Sequence, residues 1–218
     1  MSGHRHSGGS AKDPRKVRIS KSLSWLLRHG AAESNLSLSK EGYARVDDIL
    51  KLDSFRNTTL DDIAEIVASC PKQRFTLRQD SDGSYRICAN QGHSIAVESL
   101  ELLPITSPEQ CPQAIHGTFS RHLGSIQQKG LLPMSRNHIH FSREVPSDDR
   151  AVSGIRPSCD VLIYLDVPKI LAAGIRLFES ANKVILSPGN TDRCIPPEFF
   201  AKIVHRDGKT RPKIGRSH

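Results

Sequence analysis

Long apolar runs are missing from this sequence of 218 residues. No stretch approaches the roughly 18 residues that a membrane-crossing helix needs, and the opening MSGHRHSGGSAKD lacks the apolar middle of a secretory leader. Paired cysteines are missing too. Cys70, Cys88, Cys111, Cys159 and Cys194 are odd in number and widely spaced, with no C-x-x-C, so nothing points to a zinc knuckle or redox dithiol and reduced thiols are expected. Neither a Walker loop nor a G-x-G-x-x-G fingerprint is present, which removes the commonest phosphate- and dinucleotide-binding loops. These absences predict an intracellular chain of the cytoplasm and/or nucleus with no membrane partner.

Acidic residues are in deficit, 23 against 31 Lys and Arg, for a formal charge of +8. The excess sits at the ends. Residues 1–18 hold five cations against Asp13, and residues 205–218 hold five against Asp207, so each end carries +4 and the middle is neutral. Both segments are read as basic tails, which either attract nucleic acid without regard to sequence or stay solvated with no partner.

Apolar residues recur at three and four positions through Ile19, Leu23, Leu26 and Leu27, predicting a helix from about Ile19 to a left-handed end at Gly30. A second helix is expected over Val46–Leu52, and a third after Thr59, whose T-x-x-D opening has the form of a capping box. Strict alternation around Phe75–Leu77 and Tyr85–Ile87, with Asp80–Gly83 as the turn, predicts a hairpin. Three helices and a hairpin are the order of a winged helix, and period two places Arg74, Arg78 and Arg86 on one basic face of the wing. A Pro-rich linker is expected at about 100–112. Beyond it, strand-like runs at 114–118, 138–142, 161–166, 184–186 and 199–204 flank a helix over Ser120–Lys129 closed by Gly130. The predicted fold is α+β, divided into residues 19–100 and 101–204.

Four clusters mix cations, imidazoles and small polar residues: Leu26–His29, Asn90–Ser94, His116–Thr118 and Ser135–Ser142. None contains a carboxylate, and guanidinium groups present a planar fork to phosphate oxygens, so the clusters together point to an anionic substrate. No metal is expected, because His138-x-His140 has no nearby Asp, Glu or Cys to complete a ligand set.

The strings SKSLSWLLRHGA (20–31), KQRF (72–75), ANQGHSI (89–95), IHGT (115–118), PMSRNHIHFS (133–142), VSGIR (152–156) and SPGNTD (187–192) closely resemble the tRNA 2'-phosphotransferases of the Tpt1/KptA family. The resemblance runs from about Ile19 to Val204. It implies a winged-helix RNA lobe followed by an ADP-ribosyltransferase-like lobe that binds NAD+ as a consumed co-substrate, without a metal. The implied substrate is tRNA, or other RNA, with an internal splice-junction 2'-phosphate. That phosphate passes to NAD+ through a 2'-phospho-ADP-ribosylated RNA, giving 2'-hydroxyl RNA, nicotinamide and ADP-ribose 1'',2''-cyclic phosphate.

By the same resemblance Arg28, His29, Arg74 and Arg136 are the catalytic residues. His116, Gly117 and Thr118 take the ADP-ribose side of NAD+, with Ser142, Gly154, Ser180 and Asn182 lining the rest of that pocket. Lys21, Gln91, His93 and Ser94 touch the RNA end or lie behind the site. A monomer is the default expectation. The chain departs from the family at Cys88, where many relatives have Arg, and at Glu179 and Lys183, which flank the S-A-N of an R-S-A-N-G stretch. Two rival readings stand beside this one. His116-Gly117-Thr118 and His140-Phe141-Ser142 both fit the H-x-T/S pattern of a 2H-type RNA phosphoesterase, and the first half alone fits a non-enzymatic winged-helix nucleic-acid module.

Overall fold

The computed structural model describes residues 13–97, 100–145 and 152–206, and shows an α+β chain. Helix α1 (Pro14–Trp25) begins five residues before the first expected position. Apolar spacing missed its start because that turn is set by polar chemistry. Asp13 accepts a hydrogen bond from the Arg15 amide at 2.9 Å, Pro14 takes the first helical position, and Arg15 and Lys16 pair with Asp62 and Glu65. Pro14–Arg18, grouped with the basic tail in the sequence, are thus helical, while residues 1–12 and 207–218 lie outside the described residues.

Leu26–Gly30 continue α1 as a π-helical turn, and Gly30 is not left-handed; Asn35 is, at φ 50°. Gly30 is required for a different reason. A Cβ there would fall 2.3 Å from the Trp25 ring. Helices α2 (Val46–Leu50) and α3 (Leu60–Ala68) follow, α3 opening with the Thr59–Asp62 capping box. Strands β2 (Phe75–Gln79) and β3 (Tyr85–Ala89) form the hairpin, which β1 (Ala44–Arg45) widens in the order β1-β3-β2. Leu23, Leu26, Leu27, Ile49, Phe55, Ile63 and Ile87 are fully buried between helices and sheet.

The expected linker contributes a strand. β4 (Leu102–Ile105) pairs with β8 (Leu177–Ser180), and Pro104 is tolerated because β4 is the edge of the sheet β4-β8-β9-β6. The other strands of that sheet are β6 (Ile139–Phe141) and β9 (Ile185–Ser187). A second sheet has the order β10-β7-β5, from β5 (Ile115–Thr118), β7 (Val161–Leu165) and β10 (Phe200–His205). Strand β7 alternates its faces: Val161, Ile163 and Leu165 enter the main core with Phe141 and Ile185, while Leu162 packs with Ile115 and Ile155.

The two sheets meet where Ile115 and Ser142 exchange backbone hydrogen bonds at 2.8 Å, which sets β5 beside β6. Helix α4 (Ser120–Lys129) matches its predicted span and ends at Gly130, φ 77°, where a Cβ would strike the Ile195 carbonyl. Helix α5 (Val167–Ala172) and strands β4 and β8 carried no periodic signal in the sequence.

Candidate active site

A cleft of about 650 Å³ opens between the helical first half and the two sheets. Arg28 enters it from the π-helical turn, Lys72 and Arg74 from the turn before β2, His116–Thr118 from β5, and Arg136 from the loop before β6. Among the described residues its lining holds six cations (Arg28, Lys72, Arg74, Arg121, Arg136 and Arg156), four histidines, and no Asp or Glu. Like charges brought together without acids repel, and the repulsion is relieved by an anionic ligand.

Arg28 registers this most clearly. Burial, then the positive charges of Arg136 and Arg74, push its proton affinity down to about 10. Its Nε and Nη2 have no hydrogen-bond partner among the described residues, although they are shut away from solvent. The Asn90–Ile95 loop wraps it. The Ser94 amide donates to the Arg28 carbonyl at 3.0 Å, and Gly92, at φ 92°, faces the guanidinium so that a Cβ there would stand 3.4 Å from Arg28 Nε. Burial also lowers Arg136, helped by Arg156, and Lys72, helped by Arg74.

Burial lowers the proton affinity of His116, His138 and His140. His140 is only 7 % exposed and its Nε2 is unpartnered; burial first, then Arg136, pushes it down to about 3. His116 turns Nδ1 to the His140 carbonyl at 3.0 Å and is lowered by burial. An imidazole nitrogen with no partner at the wall of a polar cleft suits a ligand hydroxyl.

Of the residues given roles by the family resemblance, Arg28, Arg74, Arg136, Gln91, His116, Gly117, Thr118 and Gly154 line this cleft, together with Ser135, His138 and His140 of the fourth cluster. The others lie outside its lining. His29 Nδ1 is hydrogen-bonded to Ser94 Oγ at 2.8 Å, and burial followed by Arg28 lowers the imidazole. His93 is buried beneath the loop with both ring nitrogens unpartnered, and burial followed by Arg28 pushes it down to about 4. Ser142 Oγ donates to the Glu144 carbonyl at 2.7 Å, and Ser180 Oγ to Asn182 Oδ1 at 2.9 Å. Lys21 is exposed on α1.

The departures from the family pattern also find places. Glu179 pairs with Arg143 and, at 2.7 Å, with Lys183, so the acid is neutralised locally. Cys88 is a buried free thiol, and Arg86 pairs with Asp80.

Sequence reasoning did not foresee the bonds that lock the two halves together, though Asn182, Asn90 and Asn137 stand in segments it singled out. Asn182 Nδ2 and Ser153 Oγ both donate to the Lys72 carbonyl, at 2.9 and 3.0 Å, and Lys72 Nζ reaches the Ile155 carbonyl at 3.2 Å. Asn90 holds the same turn through the Gln73 carbonyl at 2.7 Å, with Gln73 left-handed at φ 42°. On the other wall Asn137 donates from Nδ2 to the Ile95 carbonyl at 2.8 Å and from its amide to the His93 carbonyl at 2.9 Å. The backbones carrying Arg74 and Arg136 are thereby clasped across the cleft. No local pattern announces such long-range side-chain-to-carbonyl bonds.

Comparisons with known proteins place the chain among its relatives. A family described as "RNA 2'-phosphotransferase, Tpt1 / KptA family" matches residues 14–189. The tRNA 2'-phosphotransferase 1 of Danio rerio is 40% identical over 203 residues, covering 92% of this chain and 90% of the relative. Its Homo sapiens counterpart is 40% identical over 200 residues, 91% of this chain and 79% of the relative. The tRNA 2'-phosphotransferase of Saccharomyces cerevisiae is 37% identical over 201 residues, 88% and 85% respectively. With the match spanning most of the sequence and every cleft motif inside it, the chain belongs to the Tpt1/KptA family of RNA 2'-phosphotransferases.

Proposed function

We propose that this chain is an NAD+-dependent tRNA 2'-phosphotransferase that removes the internal 2'-phosphate left at a splice junction. The observation that carries the reading is the convergence of Arg28, Arg74 and Arg136 on one cleft with no carboxylate among the described lining residues. A ribose 2'-phosphate dianion is the ligand such a cleft favours. Each guanidinium offers charge-assisted hydrogen bonds of ~1.5–3 kcal/mol, and the unpartnered Arg28 Nε and Nη2 are already desolvated.

Three fixed cations hold the phosphate in one orientation, so positioning supplies much of the rate, and they offset charge that builds on the phosphoryl oxygens. His29, neutral near pH 7 and steadied by Ser94, is placed beside Arg28 to take or return a proton.

The opposite wall fits a dinucleotide. The unpartnered His140 Nε2, the Thr118 hydroxyl and the close backbone approach at Gly117 and Gly154 suit sugar hydroxyls and phosphates. NAD+, when bound, supplies the electrophilic sugar carbon that makes it the phosphate acceptor in place of water. His116, Gly117, Thr118 and Gly154 would hold its ADP-ribose side, with Ser142, Ser180 and Asn182 bracing the strands behind them. In this reading the three helices and hairpin are a winged-helix RNA lobe, and the paired sheets are an ADP-ribosyltransferase-like lobe.

The test is a short RNA bearing one labelled internal 2'-phosphate, incubated with and without NAD+. Label leaves the RNA only with NAD+, and not as inorganic phosphate. Release of inorganic phosphate, or equal turnover without NAD+, overturns the reading in favour of a phosphoesterase.

A further inference from the structure

Tryptophan occurs once in this chain, at position 25, and the side chain is 48 % exposed. The indole is exposed yet fixed. Its six-membered ring fills the space above Gly30 that any side chain at that position would claim, since a Cβ there would come within 2.3 Å of the ring carbons. A large aromatic surface held against backbone and turned to solvent is a stacking platform whose ordering cost is already met by the fold.

Its neighbours share one chemistry. Arg18, Lys21 and Trp25 recur at three and four residues and are all exposed on the same side of α1. The two cations have no ion-pair partner among the described residues. This contrasts with Arg15 and Lys16 on the same helix, which are both neutralised by Asp62 and Glu65 of α3. Three residues past Trp25 stands Arg28, whose guanidinium lines the cleft. A basic strip with one rigid aromatic therefore runs along the outside of α1 and leads to the phosphate-binding arginines.

We propose that this strip is the track for single-stranded RNA flanking the phosphorylated ribose, with a base stacked on Trp25 and the backbone followed by Lys21 and Arg18. Free cations interleaved with an aromatic face are the chemistry that holds single strands without regard to sequence. The proposal rests on the RNA reading above and deepens it by naming where the strand leaves the cleft.

The single tryptophan makes the test direct. The full chain is titrated with an oligoribonucleotide carrying one internal 2'-phosphate and several unpaired nucleotides on either side. Intrinsic emission is followed with unlabelled RNA, and anisotropy with an end-labelled copy in a separate titration. Trp25 emission is quenched in step with binding. Trp25→Leu, which still covers Gly30 with an apolar side chain, weakens binding by roughly tenfold, and Trp25→Phe recovers most of the loss. Lys21→Ala and Arg18→Ala each flatten the slope of log affinity against log salt by about 0.7. RNA that binds and is turned over while Trp25 emission stays unchanged overturns the track and leaves the 2'-phosphotransferase reading standing. So does a Trp25→Leu variant that binds like wild type. Absence of RNA binding in the anisotropy titration overturns both.

Discussion

Two groups of arginines, those of the hairpin and those of the cleft, have opposite fates. On the hairpin, Arg78 and Arg86 face each other directly across β2 and β3, an arrangement that would be repulsive alone. Asp80 lies between them, bonded to Arg86 and 3.5 Å from Arg78, and the Arg78 guanidinium also rests 4.0 Å from the centre of the Tyr43 ring. In the cleft, Arg28, Arg74 and Arg136 meet with no acid among the described lining residues. The residue type is the same; the presence of a local counter-charge separates a structural arginine from one that waits for a ligand.

Breaking the cleft set gives the largest expected effect. Arg28→Ala, Arg74→Ala or Arg136→Ala lowers the single-turnover rate on 2'-phosphorylated RNA by about two to three decades, the ~2.7–4 kcal/mol typical of losing one preorganised donor. Arg78→Ala and Arg86→Ala stay within a few-fold of wild type in the same assay. Stability moves the other way at Arg28. Because its charge is buried among cations, Arg28→Met loses the same two to three decades of activity while raising Tm by a few degrees.

The cleft's neighbours sharpen the comparison through pH. His93, 3 % exposed, is pushed from 6.5 to about 4, so the unfolded chain binds a proton that the folded chain refuses between those values. The stability contributed by neutral His93 is complete above pH 6.5 and is lost as pH falls through about 4, roughly 3 kcal/mol in all. Denaturant titrations from pH 7 to 4 should show this slope, and His93→Gln should flatten it. An unchanged slope would mean that His93 takes up its proton without penalty.

Smaller effects come from the clasp. Asn182→Ala removes a hydrogen bond to the Lys72 carbonyl worth about 0.5–1.5 kcal/mol and loosens the turn that presents Arg74. The expected result is a kcat several-fold lower, an unaltered KM for NAD+, and a larger loss when combined with Ser153→Ala. A selective rise in KM for NAD+ would instead make Asn182 a direct cofactor contact. The smallest effect belongs to the hairpin: Asp80→Asn costs about 1 kcal/mol of stability in thermal melts, as partly exposed ion pairs do, and leaves turnover unchanged.

Legibility in the sequence followed the range of the interaction. The capping box at Thr59, the alternation of β2 and β3, and the span of α4 with its Gly130 end were readable because each is set by residues a few positions apart. The start of α1 was not, since pairing with Asp62 and Glu65 helps hold it from a distant helix. Strand β4 was hidden by Pro104, which an edge position makes harmless. At the site, Arg28, Arg74 and Arg136 stood out inside their motifs. Lys72 and Ser153 lay inside quoted motifs without an assigned role, His140 was read only in the rival phosphoesterase and metal patterns, and the bonds to backbone carbonyls made by Asn182 and Ser153 have no one-dimensional signature.

By itself the sequence determined the family, the α+β class, the arginines of the cleft and an anionic substrate, because residue type and local spacing carry that information. Only the tertiary structure decided which arginines are neutralised and which are free. It also placed Ser180 and Asn182 behind the wall instead of on it, and turned Trp25 outward over Gly30. Those outcomes depend on groups up to 110 residues apart reaching hydrogen-bond or van der Waals distance, and such distances exist only once the chain has packed.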